Sequence, residues 1–162
     1  MPTRFLALLL LPVLLGGCAL LGDGGGPRSE LERRQQQWAR QGFDAYTYDL
    51  NIACFCPYFG PVHITVRADT VAALEFRLPP DVPPPSEHER RFFSRTVEDL
   101  FDVIDDALRE GADELDVEYH PEFGYPTHIS IDYYEDAVDD EIGYTASNLQ
   151  PLRLPRSPSP AH

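Results

Sequence analysis

The sequence predicts an α+β domain: an antiparallel sheet covered on one face by two helices, in the order αβββ-αβββ. Three observations lead there. Apolar and polar residues alternate in six separate runs, the mark of strands with one buried and one wet face. One segment repeats apolar residues at helical spacing between a capping threonine and a terminal glycine. The six alternating runs fall into two groups of three, each group following a helical segment.

The first helix is expected from Ser29, with Glu32 three residues on as a capping box and Gly42 as the stop. Its apolar stripe is thin, Leu31, Trp38 and Ala39, which places it at the domain's edge with Trp38 as the anchor. In the first strand Tyr46, Tyr48, Leu50, Ile52 and Cys54 point inward, while Thr47, Asp49, Asn51 and Ala53 point out. Val62, Ile64 and Val66 form the next inward row, then Leu74, Phe76 and Leu78. A proline-rich connection over residues 78–90, "LPPDVPPPSEHE" at its heart, reads as neither helix nor central strand. Thr96 caps the second helix, Val97, Leu100, Phe101, Ile104 and Leu108 make its buried stripe, and Gly111 ends it. Glu98, Asp99, Asp102, Asp106 and Glu110 lie off that stripe and read as a solvated face. The last three inward rows are Leu115, Val117 and Tyr119; Ile129, Ile131 and Tyr133; and a strand over residues 142–149.

Two stretches match one another. "PYFG-PVHITV" at 57–66 aligns with "PEFGYPTHISI" at 121–131, and in both a turn enters a strand. An internal duplication would produce this, and so would shared turn chemistry, because turns select Pro and Gly.

The chain's ends are not part of that domain. Residues 1–17 read as a lipoprotein signal peptide: Arg4 gives the positive charge, and residues 5–15 are an apolar run too short to span a bilayer. The run closes on Leu15-Gly16-Gly17-Cys18, which resembles the lipobox of bacterial lipoproteins. That resemblance implies lipidation of the Cys18 thiol and cleavage just before it. Each buried methylene contributes about 0.8 kcal/mol, so two or three acyl chains hold a domain durably. Residues 18–28, rich in glycine, form a flexible tether, ten such residues reaching ~17 Å. Residues 29–150 make one domain by size, and the Pro- and Ser-rich residues 151–162 read as a disordered tail. Removing Arg4 with the signal leaves 12 basic against 27 acidic residues, a net of −15, and there is no lysine. Nucleic acid and anionic lipid both repel such a domain, so nucleic acid is excluded as a partner. Membrane contact falls to the N-terminal lipid. Because Ala19 rather than aspartate follows the lipid cysteine, the lipoprotein sorting rule sends the chain to the outer membrane in a Gram-negative host. In any other host it sits on the outer face of the cell membrane.

With Cys18 lipidated, Cys54 and Cys56 remain, an even number in an oxidising compartment. Cysteines at i and i+2 of a flat strand are too far apart to bridge, so they pair only where the chain bends, as Pro57 allows. A local disulfide or a thiol pair at the strand's end both fit. A metal needs more ligands: His63 faces solvent while Cys54 faces the core, and His120 and His128 flank the second hairpin. This spacing matches no standard zinc pattern and implies no cofactor. His128 is expected to pair with an acid on the neighbouring strand, such as Glu118.

The densest acid cluster is "DYYEDAVDDE" at 132–141. It lacks the alternating ligands and central glycine of a calcium loop. Asp139, Asp140 and Glu141 could include a carboxylate pair for acid–base work, converging with His128. No serine-hydrolase elbow, phosphate loop or zinc-protease helix is present in the sequence. C-x-C-P at 54–57, "TVEDLFDVID" at 96–105, "GYP" with "ISID" at 124–132 and "DDEIGY" at 139–144 together resemble a bacterial domain of unknown function, family 6174, found in secreted and lipid-anchored proteins. The resemblance spans residues 43–149 and implies an envelope location without an activity. It carries Cys54, Cys56, Asp139, Asp140 and Glu141 as matched features. The expected function is therefore a lipid-anchored, non-catalytic domain binding an envelope protein or ligand. A metal-binding or redox-sensing lipoprotein using Cys54 and Cys56 is the first alternative, and a hydrolase using the 139–141 acids the second.

Overall fold

A computed structural model of the chain describes residues 25–55, 60–134 and 141–152. Three helices and six strands follow in the order α1 (Pro27–Ala39), β1 (Ala45–Ala53), β2 (Val62–Arg67), β3 (Thr70–Phe76), α2 (Glu87–Phe93), α3 (Val97–Glu110), β4 (Glu114–Tyr119), β5 (Pro126–Asp132) and β6 (Ile142–Pro151). All strands pair antiparallel in one sheet ordered β3-β2-β1-β6-β5-β4. The α+β class and the single sheet are as the sequence predicts. Two three-stranded meanders thus meet along β1 and β6, the longest strands and the centre of the sheet.

The buried phase is the predicted one where strands are central. Tyr46, Tyr48, Leu50, Ile52, Val62, Ile64, Val66, Ile129 and Ile131 are all buried. On the outer strands β3 and β4 the inward residues Leu74, Phe76, Leu115, Val117 and Tyr119 are only half-buried, because an edge has a neighbour on one side alone. α3 forms as its stripe dictates. Thr96 and Asp99 close a reciprocal capping box, and Gly111 (φ 76°) takes the left-handed C-terminal position.

Three expectations are corrected. First, α1 starts at Pro27, with Gly26 before it and no side-chain cap; Ser29 lies inside the first turn. Proline there has a suitable fixed φ and no N–H to leave unbonded. Leu31 and Trp38 are buried as expected, whereas Ala39 is exposed. Second, the proline-rich connection ends in the additional helix α2, which makes three helices and the order αβββααβββ. Ser86 follows the last proline and forms a capping box with Glu89, and the seven-residue helix buries Phe93 edge-to-face on Phe76. Third, β6 runs on to Pro151. Proline costs no ladder bond there, since Leu152 N–H donates to the Ala45 carbonyl instead.

One charged residue on the outer side of α3 is more than solvated. The Glu98 carboxylate accepts from Trp38 Nε1 at 2.6 Å and from the Tyr46 hydroxyl at 3.2 Å. The same Tyr46 oxygen accepts the Val97 N–H at 2.9 Å. α1, β1 and the start of α3 are thereby tied at one point, with an anion where the helix dipole favours it. Opposite this, Gln37 of α1 donates to the Pro121 and Glu122 carbonyls at 2.9 and 3.0 Å. Gly124 lies against it, and a Cβ at that position would sit 2.9 Å from Gln37 Cβ. That close approach, together with φ 85°, requires glycine.

Candidate functional site

The helices occupy the face of the sheet that carries the core. The outward phase of the strands makes the opposite face, and among the described residues no element covers it. Register lays its polar side chains in two rows. Glu75, His63, Asp49 and Ser147 line up across β3, β2, β1 and β6. Asn51, Thr145, His128 and Glu118 line up across β1, β6, β5 and β4. Directly opposed side chains in such rows have Cβ atoms about 4.5–5.5 Å apart.

The first row contains a closed hydrogen-bond group. Asp49 Oδ1 lies 2.7 Å from His63 Nδ1, and Asp49 Oδ2 accepts from Asn148 Nδ2 at 2.8 Å. Asn148 reaches it because β6 bulges there: Thr47 faces Gln150 but Asp49 faces Ser147, and Asn148 takes φ 55°. Asparagine is among the few side chains that enter this region readily. Partial burial pushes the Asp49 carboxyl up, but the Asn148 amide and the His63 imidazole outweigh it and hold the group below the usual carboxylate range.

Beyond this group the sheet opens. β5 and β6 pair only from His128–Thr145 to Ile131–Ile142, while β6 continues along β1. Where they part lies an open depression of about 670 Å³, lined by Glu118, His120, Tyr125, Thr127, His128, Thr145 and the bulge residues Ser147 and Asn148. His120 forms its wall. The ring stacks 4.9 Å from Phe123 and 5.1 Å from Tyr125, and Nδ1 accepts the Glu122 and Phe123 N–H groups. Those bonds assign the proton to Nε2, leaving a donor. Tyr125 accepts a hydrogen bond from the Leu149 backbone, and burial pushes its phenol up. In the second row Asn51 Oδ1 is buried with no partner among the described residues. Donors and acceptors of this kind, with little charge and some aromatic surface, suit a polar ligand or a protein side chain.

The predicted site residues divide. His128 stands opposite Glu118, as expected, and shares the depression with His120. Cys54 follows β1 in a bend, half-buried and packed against the core, whereas His63 lies on the open face, so the two are on opposite sides of the sheet. Among the described residues no three His, Cys, Asp or Glu side chains gather as metal ligands. Glu141 is exposed just before β6, four residues from the position opposite His128. Four residues of strand span about 13 Å, so Glu141 and His128 do not form an acid–base pair. Cys18, Cys56, Asp139 and Asp140 lie outside the described residues. Glu118, His128 and Thr145 follow the acid, histidine, hydroxyl order of a nucleophilic triad, but among the described residues no side-chain hydrogen bond links them. Sequence reasoning missed Asp49 and Asn148. Asp49 was visible as an acid on the polar phase of a central strand; Asn148 was not, because its role depends on the bulge.

No curated protein and no solved structure matches the chain. A family model does match, over residues 30–151. The chain therefore belongs to a family of unknown function, DUF6174.

Proposed function

We propose that the chain is a lipid-anchored cell-envelope domain whose open sheet face binds an envelope protein or ligand without catalysis. The observation that carries this reading is the depression where β5 and β6 part, bordered by the ordered Asp49–His63–Asn148 group. A face held by cross-strand hydrogen bonds is preorganised, so less ordering entropy is lost on binding. The lipobox at Leu15–Cys18 supports the anchor, and the residue after it supports outer-membrane delivery in a Gram-negative host. Among the described residues no helix is long and apolar enough to cross a membrane. The test is co-purification from detergent-solubilised membranes with wild-type chain and with a His128→Ala/Asn148→Ala double variant. A partner retained by the wild type and lost from the folded variant is expected; equal recovery from both would reject the face. Cys18→Ser should move the chain from the membrane to the soluble fraction.

We further infer that Cys54 and Cys56 form a small disulfide. The bend directly after Ala53 supports it, since leaving the strand removes the geometric bar to an i, i+2 bridge. Cys54 is also engaged with its surroundings rather than solvated alone. An intact mass two hydrogens below the reduced value is expected for chain exported to a periplasm. The full-hydrogen mass would instead favour a redox-sensing thiol pair.

A further inference from the structure

We propose that the free edge of β4 accepts an extended basic segment of another protein as a seventh strand, with an apolar side chain of that segment seated beneath the edge. β4 ends the sheet, and among the described residues nothing pairs with its outer side. Such an edge presents unpaired N–H and C=O groups and is a template for strand addition. Its side chains define the occupant. Glu114, Asp116 and Glu118 alternate on the open face, and all three are exposed. Leu115, Val117 and Tyr119 alternate on the other, over a recess of about 220 Å³ that Pro27 and Glu30 of α1 and Ile104 of α3 complete, with Asp116 at its rim.

The acids decide between partners. In an added strand, side chains stand beside those of β4 at cross-strand distance, where opposite charges attract and like charges repel. A second copy pairing β4 to β4 sets two acid rows together and is disfavoured. A segment alternating cationic and apolar residues meets the acid row on one face and Leu115, Val117 and the recess on the other. The opposite edge, β3, carries a single acid, Glu75; each edge has one ring under a guanidinium, Phe76 under Arg90 and Tyr119 under Arg34, so the acids make the difference. The selective edge is therefore β4, which is distinct from the depression apart from the shared Glu118.

The test uses the full chain in neutral detergent and short fluorescent peptides, one alternating arginine and valine, one alternating glutamate and valine. Anisotropy should show the arginine peptide binding about tenfold tighter or more. It should slow amide exchange over residues 114–119, and N-methylation of its alternate backbone nitrogens should abolish binding. Asp116→Arg should shift preference toward the glutamate peptide. Binding that survives N-methylation, protection confined to other strands, or dimerisation through β4 in ultracentrifugation would overturn the proposal. Because protection and N-methylation are read on the wild type, a variant that fails to fold does not weaken the test.

Discussion

Tyr46 combines burial with two hydrogen bonds that its neighbours cannot replace. Its ring packs edge-to-face on Trp38, and its oxygen serves both Val97 and Glu98. Burial, with the nearby Glu98 charge, pushes its phenol far above the usual range, so it stays a neutral donor. Tyr46→Phe leaves a buried N–H unmet and should cost about 1–3 kcal/mol in urea unfolding. Asp49 gives a pH signature. Its folded pKa is lowered, so its stabilisation is full above the unfolded value of about 3.9 and is lost as pH falls through the folded value. Unfolding midpoints should therefore drop below about pH 4, and Asp49→Asn should remove that part of the drop. The tyrosines' inward direction was legible from strand alternation, but the Glu98 bonds were not. They join residues 38, 46 and 98, which only the tertiary fold brings together.

At the scale of elements, α3 was readable in its bounds and most of its stripe because cap and stop agree, although Ala107 is buried and Leu108 only half-buried. α1 was readable in its anchor and not in its start, where Pro27 and Ser29 offered rival beginnings. The two starts predict different cap energetics. Thr96→Ala should destabilise by about 1 kcal/mol, whereas Ser29→Ala should stay near zero in the same unfolding measurement. α2 was hidden because a helix of seven residues shows barely two turns of periodicity beside a run of prolines. Even so, Ser86 and Glu89 carried its signal. Strand identities followed from alternation, but the β1–β6 pairing that closes the sheet spans almost the whole domain and leaves no local mark.

Over the whole molecule, the fold separates two tasks. One face of the sheet is spent on the core; among the described residues no element covers the other, which the proposed function makes the binding face. How the open face would be built was half legible: His63, His128 and Asp49 lie on the polar phase by count alone. The parting of β5 and β6 was not, since it needs the bulge at Asn148 and the turn that His120 organises. The most direct test of the account is photocrosslinking in the intact envelope, with a photoreactive residue replacing Ser147 on the open face or Gln36 on the exposed side of α1. A discrete adduct from position 147 and none from position 36 is the predicted result. No adduct from position 147, or the same adducts from both, would contradict the claim that this face is the binding surface.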